Sequence, residues 1–291
     1  MRQVENILEV TNLSKHFQDF SLRKVSFQLP AGYIMGFIGP NGAGKSTTIK
    51  LIMNLLHKDD GQIQVFGLDH IENETAAKDR IGFVYDENHF HEELSVRNMA
   101  RIVAPFYSRW QAQTFEKYLK DFDLNPKQKI KELSKGMKLK FSLAIALSHQ
   151  AELLIMDEPT AGLDPVVRTE LLDILASLIE DERKAVFFST HITSDLDKIA
   201  DFVTFINNGQ IVLSTTKDEI LDLYGVVKGN TELLTPDARK LFIGLRLNKF
   251  GFAGLVRDKQ AIRRLWQDSV VIERPLLEDL MLYTVRGERH A

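Results

Sequence analysis

Gly39-Pro-Asn-Gly-Ala-Gly-Lys-Ser-Thr47 decides how this chain is read. The stretch satisfies Gly-x-x-x-x-Gly-Lys-Ser/Thr, with Gly39, Gly44, Lys45 and Ser46 at the defining positions. Glycines at 39, 42 and 44 let the backbone turn sharply and bring its N–H groups against an anion. Lys45 adds a cation for the β- and γ-phosphates, and the Ser46 hydroxyl reaches Mg2+. The candidate nucleotide loop is therefore Gly39, Pro40, Asn41, Gly42, Ala43, Gly44, Lys45, Ser46 and Thr47. Ahead of it, Tyr33-Ile-Met-Gly-Phe-Ile38 is an apolar run that suits a buried strand. Behind it, residues 47–56 predict a helix whose positive end faces the same anion. Strand, loop and helix in that order give the motif its context. The reaction stays open, because kinases, GTPases and ATPases share this loop.

With 291 residues the chain is near the size at which one core stops growing. A net charge of −3 gives no sign of a strongly basic nucleic-acid surface. The sequence contains no cysteine, which rules out disulfides and thiolate metal sites and suits a reducing compartment. Met-Arg-Gln-Val-Glu-Asn at the start has no apolar core, so no signal peptide is expected. No uninterrupted apolar stretch approaches a bilayer-spanning length.

Strands are predicted at 7–10, 25–29 and 33–38, with Pro30-Ala-Gly32 as the turn before the last. Two readings fit Phe17 and Phe20: an aromatic that stacks on a nucleotide base, or core packing. Residues 61–66 alternate like a half-buried strand, a short polar helix follows, and 81–84 read as another strand. From 94 to about 150 the apolar spacing is helical, interrupted by Pro105 and Pro126, which predicts a helical insertion between two strands. Leu153-Leu-Ile-Met156 and Ala185-Val-Phe-Phe188 resume the sheet, with Asp164 capping a helix that opens on Pro165. Phe202–Asn207 and Gln210–Ser214 predict a hairpin around Asn208-Gly209, finishing a main unit near Tyr224. The remainder reads as a small α+β appendix: a short helix from Pro236, strands at 245–248, 252–256 and 270–272, and helices at 259–266 and 276–282.

Asp157 and Glu158 follow an apolar strand, where carboxylates can serve a phosphate loop. Asp157 would hold Mg2+ through water, opposite the Ser46 hydroxyl, and Glu158 would orient or deprotonate an attacking water. His191 ends the next strand, either as a structural residue or in reach of the γ-phosphate.

Leu133-Ser-Lys-Gly-Met137, taken with Asp157-Glu158-Pro159, Ala161-Gly-Leu-Asp164 and His191, resembles the ATP-binding cassette (ABC) family over residues 7–224. Ser134 and Gly136 match that family's Leu-Ser-Gly-Gly-Gln signature, while Lys135 and Met137 depart from it. The resemblance implies an α/β P-loop NTPase fold: a parallel sheet, an N-terminal antiparallel β subdomain, a helical subdomain at about 90–150, and the appendix at 225–291. It implies an ATPase using ATP and Mg2+, in a head-to-tail dimer with a second ABC ATPase subunit whose Ser134 and Gly136 face the first chain's ATP. It further implies that Phe17 stacks on the base, His191 is the switch histidine and Asp164 crosses the interface. A membrane-spanning permease would dock near 90–107, placing the chain on the cytoplasmic face of the membrane; no nucleic acid partner is expected. The family usually has glutamine where Asp86 stands, so Asp86 is expected to approach Mg2+ and alter the coupling of hydrolysis to movement. Pro275-Leu-Leu-Glu-Asp-Leu-Met-Leu282 resembles the end of bacterial exporter subunits linked to drug or bacteriocin resistance. Alternatives are a soluble ABC ATPase acting on ribosomes or DNA, and an ATP-switched regulator.

Overall fold

The computed structural model describes residues 5–85 and 89–287. In chain order the first elements are β1 (Asn6–His16), β2 (Ser21–Pro30), β3 (Ile34–Ile38), α1 (Lys45–Ile52), β4 (Asp60–Val65), β5 (Leu68–Asp69), α2 (Glu74–Lys78) and β6 (Ile81–Val84). Then come α3 (Val96–Val103), α4 (Ala112–Asp121), α5 (Lys135–Ser148), β7 (Leu153–Asp157), α6 (Pro165–Leu178), β8 (Ala185–Thr190), α7 (Thr193–Ile199), β9 (Phe202–Asn207), β10 (Gln210–Thr216) and α8 (Lys217–Leu223). The chain closes with β11 (Gly225–Gly229), α9 (Pro236–Arg239), β12 (Phe242–Asn248), β13 (Gly251–Val256), α10 (Lys259–Trp266), β14 (Val270–Glu273) and α11 (Leu277–Gly287).

The central sheet has six strands in the order β10-β9-β3-β8-β7-β6, parallel except for the β9–β10 hairpin. β3, β7 and β8 are buried along their whole length. Parallel strands covered on both faces have no need of polar alternation, which is why they read as unbroken apolar runs. Alternate residues still serve different cores. Ile34, Met156 and Phe188 point into one that includes helical residues Phe141, Leu143 and Leu175. Met35, Ile155 and Phe187 point into another, shared with Leu8, Val25 and Ile63 of the N-terminal strands and Ile49 of α1.

The N-terminal sheet, β2-β1-β4-β5, is antiparallel. Here β1 runs to His16, six residues past the predicted end at Val10, and β2 starts at Ser21 instead of Val25. Irregular register after Val10 and a left-handed Asn12 (φ 51°) break the two-residue alternation that marks a strand in sequence. The first helix is shorter than predicted and starts earlier, at Lys45, because Gly44 itself forms its N-cap. α7, α8 and β11 were not foreseen from the sequence. The third sheet, β12-β13-β11-β14, covers its own core of Val227, Leu234, Phe252, Val256 and Ile262. Leu277, Leu280 and Tyr283 of α11, however, belong to the main core together with Leu196 of α7. Among the described residues, no helix is long and apolar enough to cross a membrane.

Candidate active site

The nucleotide loop lies between the carboxyl end of β3 and the start of α1. Gly44 has φ 111°, and a Cβ there would fall 2.6 Å from a methyl of Leu22, so both the turn and the packing demand glycine. No side chain caps α1, which leaves its first N–H groups available to an anion. The loop is held from both sides. Thr48 Oγ1 donates to the Gly44 carbonyl at 2.8 Å, and Gly209 N, in the β9–β10 turn, donates to the Ala43 carbonyl at 3.0 Å.

Lys45 is only 6% exposed. Its Nζ donates to the carbonyls of Gly39 (2.8 Å) and Pro40 (3.3 Å), and pairs with Glu158 Oε1 at 3.1 Å. Glu158 Oε2 accepts from the His191 backbone N–H at 3.2 Å and faces His191 Nδ1 at 2.8 Å. A carboxylate accepts, so Nδ1 carries the proton, and in the neutral ring Nε2 is then an acceptor. Glu158 adopts φ 48°, unusual for a residue with a Cβ, directly after β7. Its N–H donates to the Ser189 carbonyl (3.1 Å) and to Ser189 Oγ (3.2 Å). Asp157 is buried, and its Oδ1 accepts from Ser189 Oγ at 2.6 Å. Tyr85, at the end of β6, has its hydroxyl pushed above the ordinary value by burial and by the nearby Asp157 carboxylate.

Lys45, Glu158 and His191 open onto a cleft of about 760 Å³, which Asp157, Ser189 and Tyr85 do not line. Asn41, Gly42, Gly44, Lys45, Ser46, Thr47, Glu158 and His191 line it together. Of the two phenylalanines it is Phe20, with Asp19, that lines the cleft; Phe17 is 43% exposed, its ring 6.4 Å from that of Phe20. Ser134 and Gly136 do not line it. Ser134 is exposed at the N-cap of α5, accepting from Met137 N at 3.3 Å. Gly136 is buried where α5 meets α6, and a Cβ there would come 2.9 Å from Val167. Asp164 caps α6, accepting from Val166 N (3.0 Å) and Val167 N (3.1 Å). Asp86 lies outside the described residues.

Sequence reasoning passed over Ser189, and the residues alone left Phe17 and Phe20 open between base stacking and core packing. Ser189 had a signal, a polar residue continuing an apolar run, but its partner is set by the β7–β8 register that places Asp157 opposite it. The assembled cleft offers a cationic anchor, a run of open N–H groups and a fixed carboxylate. That combination suits binding a polyphosphate and activating water beside it.

Comparison with known proteins agrees with this chemistry. The ABC transporter family profile matches residues 22–161. The bacitracin transport ATP-binding protein BcrA of Enterococcus faecalis is 30% identical over 76% of this chain and 72% of its own length. The lantibiotic transport ATP-binding protein SrtF of Streptococcus pyogenes is 33% identical over 73% and 92%. A solved ATP-binding subunit of an ABC transporter superposes with a TM-score of 0.66 at 29% identity, covering 74% of this chain and 91% of that one. The chain therefore belongs to the ABC transporter family, whose ATP-binding subunits are ATPases coupled to transport.

Proposed function

We propose that this chain hydrolyses ATP to drive a membrane exporter, as one of two ATPase subunits working with a membrane-spanning permease. The observation that carries the reading is Glu158, held between Lys45 at 3.1 Å and His191 at 2.8 Å on the wall of the cleft. Lys45 exchanges Glu158 for the β- and γ-phosphates when ATP enters. Glu158, released, takes a proton from the attacking water, and His191 accepts from that water through Nε2 in the neutral ring or donates to the γ-phosphate through Nε2 once the ring is protonated. Phe17 supplies the face on which the base stacks.

Ser46 and Asp157 fit Mg2+, because a hydroxyl and a carboxylate are the hard oxygen donors it prefers. Bound there, Mg2+ supplies positive charge to the phosphate oxygens. Asp86 is assigned a modulating role at the same ion.

Ser134 and Gly136 belong to the contact with the second subunit's ATP. The Ser134 hydroxyl accepts from Met137 with a lone pair, which leaves its proton for a γ-phosphate. Residues 1–224 form the ATPase unit and 225–291 an accessory unit. Permease docking is assigned to 90–107, where Ile102 and Phe106 are exposed apolar residues. Export, and with it a peripheral place on the cytoplasmic face of the membrane, is supported by relatives named for bacitracin, lantibiotic and multidrug transport. Purification of the tagged chain from native membranes in mild detergent tests the reading. A multi-span membrane protein should co-purify in fixed ratio, whereas sedimentation with ribosomes would overturn it.

A further inference from the structure

Ser189 is the fully buried polar residue that ties the two acidic residues of the site to the next strand. It sits directly opposite Asp157 in the parallel β7–β8 pairing. Its hydroxyl has one proton to give, and gives it to Asp157 Oδ1 at 2.6 Å. The same oxygen accepts from Glu158 N at 3.2 Å, and the Ser189 carbonyl accepts from that N–H at 3.1 Å. One residue thus fixes the rotamer of Asp157 and holds Glu158 at φ 48°, a conformation that persists in a residue with a Cβ only under constraint. An apolar residue of similar size would fill the space and keep the carbonyl bond to Glu158 N, but would lose both hydroxyl contacts, the one to Asp157 and the one to Glu158 N.

We propose that Ser189 is a positioning residue for hydrolysis: it orients the Asp157 carboxylate for the divalent cation and pins the Glu158 backbone so that its carboxylate lies between Lys45 and His191. This rests on the roles given above to Asp157 and Glu158. A hydrogen bond to an ionised carboxylate in a buried site is charge-assisted, so its loss should be felt about tenfold. The effect should fall on cation use and turnover, since Ser189 does not line the nucleotide cleft.

The test uses the full chain with Ser189→Ala and Ser189→Cys, the second keeping the side-chain shape with a larger sulfur that donates only weakly. Three quantities are read: steady-state turnover against Mg2+, binding of a fluorescent ATP analogue in EDTA, and the thermal midpoint. Ser189→Ala should raise the Mg2+ concentration for half-maximal turnover and lower kcat, each about tenfold. Analogue binding in EDTA should stay within about twofold of the parent, and Ser189→Cys should fall between parent and Ala. A Mg2+ dependence and kcat within about twofold of the parent in Ser189→Ala would overturn the proposal. So would a Cys variant more impaired than Ala, which would mean that packing, not donation, matters. If Ser189→Ala fails to fold, the Mg2+ shift of Ser189→Cys decides. Glu158→Gln, assayed in parallel, separates the two claims. Normal turnover there removes the general base, whereas an inactive Glu158→Gln beside an unaffected Ser189→Ala removes Ser189 alone.

Discussion

α1 and α5 both start at a point assigned to a phosphate contact, and they start in opposite ways. α1 follows a left-handed Gly44 and has no side-chain cap, whereas α5 follows Ser134, which caps its own helix through Met137. The first helix start leaves N–H groups for a ligand to satisfy, and Lys45 waits beside them paired with Glu158. The second is complete as a folded element and presents only a hydroxyl proton outward. On the proposed two-subunit reading the difference teaches how a composite site would be divided: one end is shaped to need a ligand, the other to stand without one until a second subunit brings its ATP. Variants should therefore separate stability from function at α5, and should fail to separate ligand binding from the loop at α1.

The largest effect is expected at α1. Lys45→Ala removes a cation that makes charge-assisted bonds to phosphate, and ATP binding measured by titration should weaken about a hundredfold. Binding within about threefold of the parent would break the claim that this helix end needs Lys45 to hold its ligand. At α5 the informative change is Ser134→Asp. Aspartate caps a helix as well as serine does, so denaturant stability should stay within about 0.5 kcal/mol, while Ser134→Ala should cost about 1 kcal/mol. If Ser134 makes the proposed γ-phosphate contact, turnover of Ser134→Asp should nonetheless drop at least about tenfold, because a carboxylate then replaces the donor. Retained turnover would reduce Ser134 to a helix cap.

The smallest effect is at the far end of α5. His149 forms its C-cap, is buried, and stacks on Tyr107 at 3.7 Å. Burial pushes its pKa down to about 4. The folded value lies below the ordinary 6.5, so the unfolded chain binds the extra proton first, and stability should fall as pH drops from 6.5 toward 4. His149→Phe keeps the stacking and should flatten that slope in thermal midpoints taken at about pH 7 and 5. An equal acid loss in both proteins would assign the slope to other groups.

What could be read from sequence follows the same division. The nucleotide loop is legible because strand, turn and helix are consecutive and each glycine acts locally. Asp157, Glu158 and His191 are legible as polar residues ending apolar strands. The Asp157–Ser189 bond is not, because it depends on the register of two strands whose bonded residues are 32 positions apart. Nor is the full length of β1, whose irregularities hide its alternation. β11 is five residues that begin and end on glycine, and only its pairing with β13 and β14 makes it a strand. The appendix looked separate in sequence, yet α11 contributes Leu277 and Leu280 to the main core, and Leu277 N donates to Asp197 of α7 at 3.3 Å. Contacts between distant segments carry no local mark.

The central claim is that Glu158 activates water once Lys45 has turned to the phosphates. Glu158→Gln keeps the shape and removes the base, so the purified variant incubated with ATP and Mg2+ should retain unhydrolysed ATP, with turnover at least about a hundredfold below the parent. Bound ADP formed at the parental rate would contradict the account.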